Sequence, residues 1–441
     1  MKKYILIYAY ANFCNAELKY WNDLSLGLKK KGFNLVLLST SSPKGDYNFI
    51  SEKFVEKLDD VLIPQTVISN KSNEYYSKYL EREEVWYRGS KHDRLSAAKV
   101  KRARYIRLLN ALNPCFVLIA NGHHASEMIL IDEIKERKIP HGFFERGCLT
   151  KSWHYDDFGI TAGTEIANKS IDEIVLPESG ELYDKFKVSY LSQKESWWFQ
   201  PAINTELNIR KKYNINSKTK LILFANQLDN DTSNFLYSPF FNSNIEAFSW
   251  FLSSIKEVDC FVVAKKHPWY MGENNAFNNA FKEFDVAGKW VDDISLFDCL
   301  EQCDFVCAVN STVVYEAMIF EKPVLQMGKS LISNKNILYE LKNINDLSII
   351  YDWLDKEGFE NKLDVFSKFM SYMIEKELSF FLDSFKVLGF QNFNLILEKI
   401  LERADNDRCG DENLSFGMIY NKSRKGKVKS FIKNLLKIFK L

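Results

Sequence analysis

The sequence predicts an α/β protein of two domains, each built around a doubly wound parallel sheet, with a helical region and a basic amphipathic helix at the C-terminus. The chain has 441 residues, which is long for one ordinary domain. Apolar runs typical of buried strands alternate with helical segments, and this alternation starts again near Lys218. With 46% hydrophobic residues, the chain has enough apolar surface for two cores.

The first domain is predicted over residues 1–200. Strands are expected at 4–8, 35–38, 116–120 and 142–144, helices at 16–31 and 125–137, and a charged helical stretch at 45–110. Asn121-Gly122-His123-His124 follows one strand, and Glu145-Arg146-Gly147 follows the next. Open parallel sheets bind ligands at the carboxyl ends of their strands, so both loops are candidates for a site.

The second domain is predicted over residues 215–335. Strands are expected at 221–225, 260–264, 305–309 and 323–327, with a helix at 244–256 and another that begins after residue 312. Beyond it we expect a helical region at 336–403, a polar linker at 404–421 and the basic helix at 422–441.

Lys265, Lys266, His267 and Pro268 follow a predicted strand of the second domain. Lysine supplies positive charge and histidine donates hydrogen bonds, so this group suits a phosphate. A solvated turn is the alternative interpretation.

Asn310, Ser311 and Thr312 end the next strand and begin a helix that contains Glu316. Ser and Thr are common N-cap residues, and a helix start with free amides also attracts anions. Glu316 is a candidate for accepting hydrogen bonds from a ribose, or it interacts favourably with the helix dipole.

A polar loop, residues 226–233, follows the first strand of the second domain. It contains Gln227, Asp229, Asp231 and Ser233, which supply carboxylates where a sugar would lie. We interpret Asp229 as part of an Asx turn and Asp231 as a candidate nucleophile or base.

The order of these motifs resembles the bacterial capsule and lipopolysaccharide β-Kdo transferases and their capsule-synthesis relatives. The matching positions are Gln227, Asp231 and Ser233; Lys265, His267 and Pro268; Ser311 or Thr312, Glu316 and Ala317; and Lys322, Pro323, Val324 and Gly328. In the first domain Asn121-Gly122 and Glu145-Arg146-Gly147, with Asp156 and Gly159 downstream, look like further elements of that family. The resemblance covers roughly residues 115–330.

The resemblance implies a GT-B-like fold, in which two Rossmann-like domains face a cleft, and a retaining transferase that uses CMP-Kdo. Asp231 would attack the anomeric carbon, Glu145 would be the acid/base, and His267 would assist at the phosphate. The donor would contact Gln227, Lys265, His267, Pro268, Asn310, Ser311, Thr312 and Glu316. The acceptor or sugar side would include Asn121, Gly122, His123, Arg146 and Asp156. No metal or other cofactor is expected, because cationic side chains and helix amides would neutralise the leaving phosphate.

Other functions stay open at this point. The sequence Asn310-Ser311-Thr312-Val313 stands where many relatives have a glycine, and Cys148-Leu149-Thr150 follows the Glu145 loop. An inverting transferase of the CMP-sialic-acid type, a transferase for another nucleotide sugar, and a non-catalytic polysaccharide-assembly protein are the alternatives. A dinucleotide enzyme is disfavoured, since no Gly-x-Gly-x-x-Gly turn follows the first strand.

Charge and apolar length exclude further classes. The net charge is +1, and eight basic residues but no acid lie in the last 20 residues, so the rest of the chain has a net charge of −7. A nucleic-acid-binding body is therefore disfavoured. No apolar stretch reaches the roughly 18–20 residues that span a bilayer. The spacing of Cys299, Cys303 and Cys307 fits core packing better than a metal site, and the eight cysteines fit a reducing compartment.

The last 20 residues form an amphipathic pattern. Val428, Phe431, Ile432, Leu435, Leu436 and Phe439 recur at helical spacing, and lysines occupy the opposite face. We expect this helix to bind anionic lipid on the inner face of the cytoplasmic membrane, while the alternative is a helix that docks on protein. The expected location is thus cytoplasmic and peripheral to the membrane.

Deleting residues 422–441 should release the protein from anionic vesicles, because the deletion removes both the apolar and the lysine face. Co-sedimentation with vesicles measures this, and vesicles of neutral lipid are the control. Binding that survives the deletion would contradict the lipid interpretation.

Overall fold

The computed structural model describes residues 3–9, 14–39, 48–53, 71–83, 91–194, 200–272, 274–381 and 394–405. All of them belong to a compact unit that runs from Met1 to Cys409. The predicted basic helix at 422–441 lies outside the described residues, as does the predicted linker from residue 406 onwards. No helix in the described part of the chain combines the length and apolar character needed to cross a membrane.

The first sheet contains seven described strands. They are β1 (Lys3–Tyr8), β2 (Phe33–Ser39), β3 (Ile50–Lys53), β4 (Phe116–Ala120), β5 (His141–Arg146), β6 (Ser152–Asp156) and β13 (Leu378–Phe380). Their order is β13-β6-β5-β4-β1-β2-β3; the strands β1 to β5 pair in parallel, whereas β6 pairs antiparallel with both β5 and β13. Helices α1 (Asn15–Lys30), α2 (Asn73–Glu83), α3 (Lys91–Leu112) and α4 (Ala125–Glu136) connect these strands.

Continuous apolar runs explain the central strands of this sheet. Every residue from Phe116 to Ala120 is buried, as expected for a parallel strand that is covered on both faces. Residues 45–110 are not wholly helical as predicted, because β3 extends the sheet at Ile50–Lys53.

The second sheet contains six described strands, all parallel. They are β7 (Lys220–Ala225), β8 (Cys260–Lys265), β9 (Gly288–Val291), β10 (Phe305–Ala308), β11 (Val324–Gln326) and β12 (Tyr339–Glu340). The order β9-β8-β7-β10-β11-β12 is that of a doubly wound Rossmann sheet, whose strand order reverses between β7 and β10. The predicted α/β class with two Rossmann-like sheets is thus confirmed.

The remaining described helices cover the second sheet or join it to the first, except the last of them, which packs on the first sheet. They are α5 (Glu165–Asn168), α6 (Glu181–Gln193), α7 (Ile209–Lys212), α8 (Thr232–Tyr237), α9 (Asn244–Ile255), α10 (Asn275–Glu283), α11 (Leu296–Gln302), α12 (Val313–Ile319), α13 (Ser348–Leu354), α14 (Phe359–Lys376) and α15 (Asn394–Asp405). Short 3-10 turns lie at Thr161–Gly163 and Ile171–Glu173. Cys299, Cys303 and Cys307 are buried in this core, as expected for packing residues.

Each sheet and its core contain segments that are distant in sequence. Tyr183 of α6 lies in the core of the second sheet, and its ring packs against Phe366 of α14 with centroids 5.3 Å apart. The region 336–403, predicted as helical, also contributes β12 to the second sheet and β13 to the first. The helix α15 then packs on the first sheet through Ile396 and Ile400. The domain limits 1–200 and 215–335 stay a prediction.

Candidate functional site

The candidate site lies where strands of both sheets end. Asn121 follows β4 and Glu145 is the last residue but one of β5, while loops from the second sheet follow β7, β8 and β10. The point at which the strand order of the second sheet reverses is the usual ligand position in such folds. The predicted site loops of the second sheet therefore lie at the edge of that sheet formed by the carboxyl ends of its strands.

The loop after β4 has an unusual backbone. Asn121 has φ +65° and Gly122 has φ +88°, both in the left-handed region. A side chain at Gly122 would also approach the ring of Phe143 to 2.8 Å, so both conformation and space require glycine. This turn directs the Asn121 amide Nδ2 to Oε2 of Glu145, which accepts its hydrogen bond at 3.2 Å.

Glu145 is a half-buried carboxyl group with several electrostatic neighbours. Burial raises its pKa, and the hydrogen bond from the Arg146 backbone N–H at 3.0 Å opposes the rise. The Arg146 charge and the Asn121 amide also lower the pKa, whereas the negative charge of Asp231 raises it. Glu145 of the first sheet and Asp231 of the second are thus close enough to interact.

Asp231 begins α8. Its Oδ1 accepts a hydrogen bond from the Ser233 backbone N–H at 2.8 Å, which caps the helix. Burial raises its pKa, and this hydrogen bond opposes the rise. Asp229 is exposed, and its Oδ1 accepts from the backbone N–H of Asn244 at 2.6 Å, so it bonds the start of α9 rather than its own turn; its place in an Asx turn stays a prediction.

His267 is set up as a neutral hydrogen-bond donor. Its Nδ1 accepts from the Trp269 backbone N–H at 3.2 Å, so the ring proton lies on Nε2. Burial lowers the pKa of His267 to about 4, and the charge of Lys265 lowers it as well. The sequence interpretation counted three potential cations in this turn, but the imidazole is uncharged at neutral pH.

Lys265 lies beneath this turn rather than on its surface. The side chain is buried, and its Nζ donates to the Lys266 carbonyl at 3.3 Å. Burial lowers its pKa. Pro268 and Trp269, which follow His267, are exposed.

Gln227 and Asn310 pair with each other. Gln227 Nε2 donates to Asn310 Oδ1 at 2.8 Å, and the Asn310 backbone N–H donates to Gln227 Oε1 at 2.9 Å. Asn310 Nδ2 also donates to the Ser233 carbonyl at 2.9 Å. These amides hold the ends of β7 and β10 together.

The start of α12 differs in detail from the prediction. Ser311 Oγ accepts from the Val313 backbone N–H at 3.2 Å, whereas Thr312, at the N-cap position, is exposed and its side chain makes no cap hydrogen bond. Glu316 is buried, and its Oε1 accepts from the Tyr190 hydroxyl at 2.9 Å. Tyr190 belongs to α6, so Glu316 joins α12 to that helix.

Two predicted residues of the first sheet are committed to structural contacts. Arg146 donates through Nε and Nη2 to Oε1 of the buried Glu17, both at 3.4 Å. Asp156 accepts from the backbone N–H groups of Phe158, Gly159 and Glu165 at 2.7, 3.1 and 2.8 Å. These bonds shape the turn after β6, and a sugar contact for Asp156 stays a prediction.

His123 contacts the second sheet's side of the site. Its Nε2 lies 3.4 Å from the hydroxyl of Tyr237, which ends α8. Sequence analysis did not identify Tyr237, because an aromatic residue in a short helix gives no functional signal. Sequence analysis also did not identify Glu127, although Glu127 lies three residues after His124, which is the spacing of a capping box.

A cavity of 690 Å³ lies elsewhere, beside β12. Glu340, Asp352 and Lys362 are among the polar residues that line it. None of the predicted site residues borders this cavity.

Residues 190–363 match a protein family described as capsule polysaccharide biosynthesis protein. The match confirms the resemblance to capsule-synthesis proteins for this segment, which contains the loops of the second sheet. No curated protein sequence matches the chain.

Several solved structures are similar at low identity. The β-Kdo 2,7 transferase of Thermosulfurimonas dismutans KpsC is 14% identical with a TM-score of 0.38, over 63% of this chain and 86% of that one. The β-Kdo 2,4 transferase of the same protein is 14% identical with a TM-score of 0.41, over 58% and 79%. The UDP-GlcNAc 2-epimerase of Neisseria meningitidis is 12% identical with a TM-score of 0.40, over 91% and 100%. At this level of identity the similarity says nothing about substrate.

Replacing Lys265 with methionine should raise the pKa of His267 from about 4 towards its ordinary value, because one of its two causes is removed while burial remains. Imidazole ¹⁵N shifts during a pH titration measure the change. Lys266→Met is the matched control and should leave this titration where it is. An unchanged His267 titration in Lys265→Met would show that the two groups do not interact.

Proposed function

We propose that this chain is a glycosyltransferase of capsule or lipopolysaccharide synthesis that transfers Kdo from CMP-Kdo with retention of configuration. The observation that carries the proposal is that Glu145 at the end of β5 and Asp231 at the start of α8, one from each sheet, lie near enough for the charge of Asp231 to raise the pKa of Glu145. The family match over residues 190–363 supports the role in capsule synthesis. The motif resemblance supports the donor and the stereochemistry.

In the proposed first step, an Asp231 carboxylate oxygen attacks the anomeric carbon of the donor. The bond from that carbon to the phosphate oxygen breaks, and CMP leaves with the electron pair. The Ser233 N–H at 2.8 Å stabilises the ionised form of Asp231. A covalent sugar–aspartate ester is the product of this step.

In the second step, an acceptor hydroxyl replaces Asp231 at the same carbon. Glu145 takes the hydroxyl proton as the new glycosidic bond forms, and the ester bond breaks to regenerate the Asp231 carboxylate. Burial raises the pKa of Glu145, which makes its carboxylate a better base near neutral pH. Two inversions at the anomeric carbon give net retention.

The leaving CMP phosphate would be bound by hydrogen-bond donors and by positive potential. His267 would donate its Nε2–H, and Lys265 beneath the turn would supply positive charge in a setting of low dielectric constant. Ser311 and Thr312 would add hydroxyl groups. The proposal requires no metal ion.

The remaining predicted residues would act less directly. The Gln227–Asn310 pair would fix the loops around the donor, and Glu316 would meet the ribose while Tyr190 holds one of its oxygens. On the acceptor side, Asn121 and His123 face the site, whereas Arg146 is bound to Glu17. The lysine-rich sequence of segment 422–441 supports a position at the inner membrane surface, where the protein would meet a glycolipid acceptor.

A panel of CMP-Kdo, CMP-sialic acid and UDP-sugars tests the proposed donor. CMP release should be fastest with CMP-Kdo, and NMR of the product should show the β-linkage. Release of UDP, or an inverted product from CMP-sialic acid, would replace the Kdo proposal with one of the alternatives. Nucleotide binding with no turnover over a broad acceptor panel would favour a non-catalytic assembly protein.

Replacing Asp231 with asparagine should reduce kcat by about 10³-fold or more, because the nucleophilic carboxylate is lost. The amide oxygen still accepts from Ser233, so circular dichroism should show an intact fold. Asp229→Asn is the matched control: it makes the same chemical change two residues away, retains its bond to Asn244, and should stay within a few-fold of wild type. Equal activity in both variants would remove Asp231 from the mechanism.

A further inference from the structure

Glu127 is a buried carboxyl group behind the candidate site. It lies in the first turn of α4 and is fully buried. Its Oε2 accepts from two backbone N–H groups, those of Gly122 and His124, both at 3.0 Å. Its Oε1 accepts no hydrogen bond from the described part of the chain.

The two N–H groups belong to the loop that presents Asn121. Asn121 has a left-handed backbone, which asparagine adopts more readily than most residues, and its Oδ1 accepts from the His123 backbone N–H at 3.1 Å. The hydrogen bonds from the Gly122 and His124 N–H groups to Glu127 hold the loop in place immediately after Asn121. Asn121 in turn donates to Glu145 at 3.2 Å.

These contacts form a chain from α4 to the proposed acid/base. Several charged groups act on Glu145: Arg146 lowers its pKa, and Asp231 raises it. Burial raises the pKa of Glu127 itself well above its ordinary value; the hydrogen bonds from His124 and Gly122 oppose the rise, and the charge of Glu145 adds to it. His124, beside this group, is neutral because burial and Lys101 lower its pKa to about 4.

We propose that Glu127 is a positioning residue for Glu145: one carboxyl oxygen fixes the Asn121–His124 loop so that the Asn121 amide stays on Glu145. The inference rests on the proposed function in giving Glu145 a catalytic role. Glu127 itself touches neither substrate nor reacting atoms.

A helix cap alone would predict something different. A capping glutamate stabilises the start of its helix, and its removal lowers stability without affecting a distant carboxyl group. Glu246 provides the comparison, because it holds the third position of α9 and accepts from the Asn242 backbone N–H at 2.8 Å. It has no hydrogen bond to the Asn121–His124 loop.

The variants Glu127→Ala, Glu127→Gln and Glu246→Ala separate these roles. Glu127→Ala frees the loop, so we expect kcat to fall by about 10²-fold, while KM for the donor changes little. Losing the Asn121 hydrogen bond raises the pKa of Glu145, so the limb of the pH profile that reports Glu145 should lie at higher pH in Glu127→Ala than in Glu127→Gln, which removes the same carboxyl group but keeps the loop in place. Glu127→Gln retains an oxygen for both N–H groups and should keep kcat near wild type. The limb of its pH profile that reports Glu145 should be unchanged, or lie at lower pH because a neighbouring carboxyl group is gone. Glu246→Ala should alter stability only.

A titration of the Glu145 carboxyl by ¹³C NMR, in the protein without donor, gives a readout independent of transfer. An upward pKa shift in Glu127→Ala but not in Glu127→Gln supports the inference even if no donor is turned over, in which case only the proposed function fails. Should Glu127→Ala not fold, Glu127→Asp replaces it, because the shorter carboxylate cannot reach both N–H groups. If these variants titrate and react like Glu246→Ala, Glu127 is a helix cap and the inference is overturned.

Discussion

The reciprocal hydrogen bonds between Gln227 and Asn310 fix the geometry on which the candidate site depends. One residue follows β7 and the other follows β10, so the pair closes the point where the strand order of the second sheet reverses. Both side chains are buried, and an amide that lost its partner would leave polar atoms unsatisfied at a cost of about 1–3 kcal/mol. The loops that carry Asp231 and Ser311 are therefore held at a constant separation.

The surroundings of the Glu145 and Asp231 carboxyl groups differ in the hydrogen-bond donors and charges near them. Glu145 accepts from a backbone N–H and from an amide side chain, and it lies beside the Arg146 charge. Asp231 accepts a hydrogen bond from a backbone N–H at the start of its helix, and no cation is among the described groups that shift its pKa. Burial raises the pKa of both carboxyl groups, and the hydrogen bond and charge of Arg146 oppose the rise at Glu145.

The sequence was sufficient to predict what depends on local pattern. Continuous apolar runs identified central strands such as β4, and strand-to-loop transitions identified Asn121, Glu145 and His267. The two-residue strand β12, and β13 in the region predicted to be helical, depend on partners distant in sequence, so no local period marks them. The neutral state of His267 was not predicted either: Lys265 is only two residues away in the sequence, but the burial that lowers the pKa of His267 to about 4 is a property of the folded chain.

The spacing of the two sheets is itself part of the site, since Glu145 and Asp231 come from different sheets. The chain leaves the second core through α14, enters the first sheet as β13 beside β6, and returns along that sheet as α15. At the site, His123 contacts Tyr237 across the two sheets. Because packed cores shift between discrete arrangements rather than deform continuously, the separation of the two acids is determined by the packing of β13 and α14 as well as by the loops.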